Sequence, residues 1–203
     1  YCGPVLHTRP DGLHGTREPL QFGAEIYGHA GLEADLEVME LALDALQRAG
    51  VARLTLDLGD ARIVRGVLAD VPLDAASRDA VYAALAAKDQ SGLEALAASF
   101  PAESRTAVLA LLRLYGGDDV LEAARRELPA RPLITAALDD LQWLTSHLRA
   151  AYPAVRIGFD LADLSGYAYY SGARFAIFAA GSADALVRGG RYDEVGAIFG
   201  RTR

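Results

Sequence analysis

Basic residues are the scarcer charge in this sequence: 20 Lys and Arg stand against 27 Asp and Glu, a formal charge of −7 over 203 residues. Nucleic-acid binding normally shows as a basic stripe, so this balance argues against that class of partner. Cysteine occurs once, as Cys2. It cannot form an internal disulfide, which fits a reducing compartment, and a cytoplasmic location is expected. No uninterrupted apolar run approaches membrane-spanning length, so no membrane association is expected. His, Cys, Asp and Glu do not cluster at metal-ligand spacing, and no metal or cofactor is implied. Methionine is missing from the first position: Tyr1 opens directly in what reads as a core strand, so the chain is expected to be an internal piece of a longer protein. What is present is ordinary for a globular chain, 52% hydrophobic and 23% charged, enough for one large domain or two small ones.

The first stretch, Tyr1 to Gly28, has two apolar runs, Cys2–Leu6 and Leu20–Tyr27. They flank a polar segment with Pro10, Asp11, Gly12 and Gly15, the pattern of two strands joined by a long loop. On the second run, Gln21, Gly23, Glu25 and Tyr27 alternate with Phe22, Ala24 and Ile26. A period of two places Gln21, Glu25 and Tyr27 on one face. A carboxamide and a carboxylate there are either a solvated sheet face or the floor of a pocket for a cationic or amide-like ligand, since buried they need partners.

From Gly31 the period changes. Leu32, Leu36, Met39, Leu43 and Leu46 recur at helical spacing, with acidic residues between them and Gly50 as a C-terminal cap. Val51–Leu58 alternates as a half-buried strand. Residues 60–131 are rich in Ala and Leu, broken by Pro72, Ser91-Gly92, Pro101, Gly116-Gly117 and Pro129. The pieces have the length of bundle helices, with Asp74, Ser91 (Glu94 three residues on) and Asp118 as capping candidates. This is expected to be a helical insertion, structural or a partner surface, between two parts of a sheet built from 1–59 and 132–203. Thr135 opens an amphipathic helix along Leu138, Leu141, Leu144, Leu148 and Tyr152, stopped by Pro153, with His147 on its polar face. Val155–Leu161 alternates again. Two aromatic-rich runs, Tyr167–Tyr170 and Arg174–Phe178, read as strands or one bent strand. A run near Ala185–Arg188 enters Gly189-Gly190-Arg191-Tyr192-Asp193, and Asp193 and Glu194 suit the first turn of a short final helix.

The blocks GPVLHTRP, REPLQFGAEIYG, SGYAYYSGARF and GGRYDEV, in this order, resemble the histidyl-tRNA synthetase family of class II synthetase folds. The resemblance implies an α+β fold, a mostly antiparallel sheet flanked by helices with a helical insertion. It also implies that the strand and helix of the family's dimer interface lie before Tyr1, so self-association would use a region missing here, and that the third class II signature lies beyond Arg203.

Two departures from the family decide the expected function. In place of its FRxERP pattern the chain reads Leu6-His7-Thr8-Arg9-Pro10, with His7 or Thr8 where arginine and glutamate belong. In place of RGLDYY it reads Ser165-Gly166-Tyr167-Ala168-Tyr169-Tyr170, so Ser165 replaces the arginine and Ala168 the aspartate. Losing two groups that stabilise transition-state charge costs on the order of 3 kcal/mol each, enough to abolish adenylation. No catalytic residue is therefore assigned. The ligand positions are kept: Gln21 and Glu25 stand where the family holds the ammonium and imidazole of histidine, and Tyr169 and Tyr170 at its tyrosine pair. A carboxylate and a phenol on opposite edges of a ring fix its orientation. Recognition without phosphate chemistry resembles the regulatory subunits of ATP phosphoribosyltransferase in histidine biosynthesis. That resemblance implies a non-catalytic partner of a separate catalytic subunit, with L-histidine as ligand and feedback inhibitor. The alternatives are a divergent histidyl-tRNA synthetase or another synthetase-like paralogue. Arg17 is expected to brace the loop, and Arg191 to pair with Asp193 or a carboxylate elsewhere.

Overall fold

The computed structural model of the protein describes residues 1–8, 16–163, 169–182 and 184–193. Its first elements are short strands β1 (Cys2–Pro4) and β2 (Leu20–Phe22), followed by helix α1 (Leu32–Arg48) and strand β3 (Leu54–Asp60). A helical run follows: α2 (Ala61–Val67), α3 (Ala75–Ala86), α4 (Gln90–Leu96), a 3-10 turn at Ala97–Ser99 and α5 (Ala102–Ala110). Then come β4 (Tyr115–Gly116), α6 (Val120–Glu127), α7 (Pro132–Ala151), β5 (Arg156–Asp160), β6 (Ala173–Ala179) and β7 (Val187–Gly190).

Five strands form one sheet in the order β4-β5-β3-β6-β7. β3 and β5 run parallel and the other neighbours antiparallel. A parallel neighbour needs a crossover, and the helices between β3 and β5 supply it. Alternation along β3 places Leu54, Leu56 and Leu58 on one face, all buried. Leu56 is paired with Ile157 of β5 on one side and Ile177 of β6 on the other, both buried. Over this face lie the apolar stripes of α1 (Met39, Leu43, Leu46) and α7 (Leu141, Leu144, Leu148). The sheet face pointing the other way carries Asp57, Asp160 and Arg174.

The helix ends have local causes. Gly50 follows α1 at φ +79 and its N–H returns to the Gln47 carbonyl, a conformation glycine adopts without a Cβ penalty. Asp60 ends β3 and caps α2, its Oδ1 accepting from Arg62 N at 2.8 Å. Asp74 caps α3 through Ser77 N, as the sequence predicts. The other two predicted caps are different. α4 is capped by Asp89 through Gly92 N, not by Ser91, because Lys88 turns left-handed at φ +52 and starts the next helix early. Asp118 is drawn to Arg149 of α7, and α6 opens at Asp119 without a side-chain cap. α7 starts three residues before Thr135, at Pro132, whose ring suits the first helical position.

Inside 60–131, β4 pairs with Asp160 and Phe159 of β5 and forms an edge of the sheet. The buried side chains of that segment and those of the sheet make one continuous cluster. β1 and β2 form a separate two-stranded sheet. The expectation that Tyr1 opens in a core strand is therefore corrected: Tyr1, Leu6, Leu20 and Phe22 are all exposed, because among the described residues the hairpin pairs only with itself. Pro10, Asp11, Gly12, Gly15, Ser165, Tyr167, Ala168 and Glu194, with the expected final helix, lie outside the described residues. Among the described residues, no helix is long and apolar enough to cross a membrane.

Candidate functional site

The hairpin places the first pair of expected ligand residues. β1 and β2 are antiparallel with Gly3 opposite Gln21, and the pairing continues through Val5 N to Pro19 O and His7 N to Arg17 O. Beyond Phe22 the chain leaves strand geometry after one more pair of bonds, Gly23 N to Tyr1 O at 3.0 Å and Tyr1 N to Gly23 O at 2.9 Å. The Tyr1 ring lies over Gly23: a Cβ there would sit 2.6 Å from the Tyr1 hydroxyl. That hydroxyl accepts from Gln21 Nε2 at 2.8 Å. Glu25 Oε2 accepts from the Tyr27 hydroxyl. Gln21, Glu25 and Tyr27 are all exposed, so they are not a buried floor.

The second pair arrives from the other end of the chain. Tyr169 stacks on Tyr192, with centroids 4.7 Å apart and planes at 30°. Tyr192 donates to the Tyr27 hydroxyl at 3.3 Å. Tyr169 meets Tyr170 edge-on at 5.6 Å. Glu25, Tyr27, Tyr192, Tyr169 and Tyr170 thus form a string from the hairpin to the entrance of β6. Burial raises the Tyr169 pKa, and the nearby Glu25 charge raises it further. Burial likewise raises that of Tyr192, helped by the Tyr27 hydrogen bond and by Glu25. Both phenols stay protonated donors at neutral pH.

Of the four predicted positions, the structure brings Glu25 and Tyr169 into one electrostatic neighbourhood, with Gln21 beside them through Tyr1. Tyr170 is turned toward the sheet. Its ring packs where a Cβ on Gly190 would stand, next to Arg174, and its carbonyl accepts from Arg65 at 2.8 Å. Burial raises the Tyr170 pKa, and Arg174 opposes that shift.

Sequence reasoning gives Tyr192 no site role and places Tyr27 on the face of Gln21 and Glu25 without one. Gly189 and Gly190, expected to turn the backbone, end strand β7 instead; the signal in the GGRYD block is the tyrosine two residues beyond them. Its position is set by Arg191, which reaches Asp35 of α1 through Nε at 3.1 Å and the Gly31 carbonyl at 2.8 Å. Arg191 also lies 3.4 Å from Asp193, so both expected kinds of carboxylate partner are present. The Asp193 amide donates to Ser171 Oγ at 2.9 Å, and Ser171 N to the Arg191 carbonyl at 2.7 Å. The tyrosine after β7 is therefore clamped to the start of α1 on one side and to the loop after Tyr170 on the other.

A separate cleft of about 470 Å³ is lined by Lys88, Gln90, Glu94, Leu109, Leu112, Arg113 and Tyr115, none of which belongs to the tyrosine string. Its cations are engaged, Lys88 with Asp160 at 2.7 Å and Arg113 with Glu127 at 2.6 Å. Among the described residues, no three His, Cys, Asp or Glu side chains group to hold a metal.

A mixed five-stranded sheet packed with helices, together with a separate hairpin, is a class II synthetase-like architecture. The chain belongs to the histidyl-tRNA synthetase family, whose model matches residues 1–203. It is 62% identical over 204 aligned residues to the ATP phosphoribosyltransferase regulatory subunit of Variovorax paradoxus, covering 100% of this chain and 53% of the relative. It is 60% identical to the protein of the same name from Albidiferax ferrireducens, covering 100% of this chain and 52% of the relative. The crystal structure of an ATP phosphoribosyltransferase regulatory subunit/histidyl-tRNA synthetase from Bacillus halodurans superposes with a TM-score of 0.83. The two are 28% identical, over 99% of this chain and 52% of that one. The chain spans about half the length of the curated relatives it matches.

Proposed function

We propose that this chain is part of a non-catalytic regulatory subunit of ATP phosphoribosyltransferase, acting in the cytoplasm with a separate catalytic subunit in histidine biosynthesis. The observation that carries the reading is identity of 60% and more, along the whole chain, to proteins of that name. The replacement of synthetase charge by His7 or Thr8, and by Ser165 and Ala168, supports a protein that does not adenylate. The gathering of Gln21, Glu25 and Tyr169 around a tyrosine string supports a retained histidine site, with Tyr170 at its sheet-side edge. Residues 1–59 and 132–203 serve as the synthetase-like core, and 60–131 as an insertion that is structural or faces the partner. Histidine that binds one state of the complex better shifts the population toward it, and the coupling to the catalytic subunit's ligands is reciprocal.

The test mixes the full-length protein with its catalytic subunit and follows condensation of ATP with phosphoribosyl pyrophosphate. The rate should depend on this subunit and fall with histidine; a rate indifferent to the subunit overturns the reading. In calorimetry on the full-length subunit, Glu25→Ala should weaken histidine binding roughly tenfold, the worth of one charge-assisted hydrogen bond, while the sheet stays folded. A working synthetase is the second reading, favoured by the family match itself. Histidine-dependent ATP–pyrophosphate exchange decides between them, and the regulatory reading expects none.

A further inference from the structure

The two polar groups expected to meet the ligand are both occupied by the protein's own phenols. Gln21 Nε2 is taken by Tyr1 at 2.8 Å, and Glu25 by Tyr27. Tyr27 is only two residues from Glu25, and its hydroxyl donates to that carboxylate. A contact this local, on an exposed surface, would ordinarily fluctuate. Here it is fixed from outside, because Tyr192 donates to the Tyr27 hydroxyl at 3.3 Å across 165 residues of sequence. Tyr192 is in turn held by its stack on Tyr169 and by the Arg191 clamp on Asp35 and Gly31. The order of donation runs Tyr192 to Tyr27 to Glu25, each hydroxyl presenting its proton toward the carboxylate. Such a chain polarises its members in one direction and strengthens the last bond.

We propose that Tyr27 is a built-in competitor at Glu25, holding the carboxylate in the free protein and yielding it to a ligand nitrogen on binding. This rests on the reading of Glu25 as a histidine-contacting residue. The competitor lowers affinity without touching the ligand, and Tyr192, a positioning residue, sets how strongly it competes. Because Tyr192 stacks on Tyr169, release of Tyr27 is felt at the tyrosine pair before β6, which links occupation of the hairpin to the sheet.

The experiment measures L-histidine binding to the full-length subunit by calorimetry. Tyr27→Phe keeps the ring and removes the proton donor. It should bind histidine roughly three- to tenfold more tightly, the worth of one hydrogen bond. Tyr192→Phe, which keeps the stack and loses the bond to Tyr27, should shift affinity the same way by less. The ultraviolet difference spectrum supplies a second readout: histidine should perturb a tyrosine signal in the wild type, and that component should vanish in Tyr27→Phe. If the wild type binds histidine and Glu25→Ala weakens it, but Tyr27→Phe binds equally or less well, the competitor is refuted and the histidine site stands. If neither wild type nor Tyr27→Phe binds histidine, both fall together.

Discussion

Leu56 and Phe22 are both apolar residues inside strands, yet Leu56 is 0% exposed and Phe22 is 64% exposed. The strand around Leu56 has a neighbour on each side and two helices above it. Among the described residues, the strand around Phe22 has β1 as its one partner. Alternating hydrophobicity makes a segment competent to pair, but the layers that arrive from elsewhere decide whether its apolar face leaves water. For the proposed site this contrast matters: Gln21 lies on the thinly supported hairpin and Glu25 just beyond it, while Tyr169 and Tyr192 flank strands of the thickly supported sheet. Binding regions are commonly drawn from the low-stability end of a structure, where opening is cheap.

The largest expected effect tests this contrast. Leu56→Ala should lower the stability of the 203-residue chain by about 3 kcal/mol, the transfer and cavity cost of an enclosed leucine. For this size that lowers Tm by roughly 6–12 °C. Phe22→Ser, at an exposed position, should cost less than about 0.5 kcal/mol. Comparable losses for the two variants in thermal unfolding would erase the distinction between sheet and hairpin.

The same contrast explains what was legible beforehand. The helix of Leu32 to Leu46, the alternation of Leu54 to Leu58 and of Val155 to Leu161, and the stripe of Leu138 to Leu148 are repeated signals, and each found the buried face it implied. β4 is two residues long, too short to show any period. The cap of α4 moved because a left-handed Lys88 is a single-residue event that no pattern announces. At the candidate site, Gln21 and Glu25 stood out by alternation and, with Tyr169 and Tyr170, by resemblance, and both signals are blind to what stands between them. Tyr192 reaches Tyr27, and Arg191 reaches Asp35, across more than 150 residues of chain. Contacts of that separation depend on the whole fold.

A position with no side chain sharpens the comparison from within the buried region. A Cβ on Gly66 of α2 would lie 2.6 Å from Ile134 Cγ1 of α7, and both residues are buried. Gly66→Ala gains about 0.8–1 kcal/mol of helix propensity. The clash costs about 1–3 kcal/mol, because the neighbour is a packed core side chain with little room to move. The second effect wins, and a net loss of about 1 kcal/mol is expected in denaturant unfolding. Combined with Ile134→Ala, the loss should be smaller than the sum of the two single variants. Simple additivity would mean that the helices are not in contact at this point.

The smallest effect concerns the other face of the sheet, intermediate between core and hairpin. Asp57 is half-buried, with its carboxylate over Gly158: a Cβ on that glycine would stand 2.8 Å from Oδ1. Burial raises its pKa above the ordinary 3.8, the charges of Asp160 and Asp163 raise it further, and Arg174 opposes them. The folded protein therefore holds this proton more tightly than the unfolded chain does. The linked stability is fully present below the ordinary carboxylate value and is lost as pH rises through the elevated one. Asp57→Asn removes the ionisation that causes the loss. At neutral pH it should stabilise by about 0.5 kcal/mol, discounted for solvent screening of a half-exposed group, or roughly 1–2 °C in Tm. The gain should shrink toward zero as the pH is taken below 3.8, where the wild-type carboxyl is itself neutral. A loss of stability at neutral pH would instead show that attraction to Arg174 outweighs burial and repulsion at Asp57.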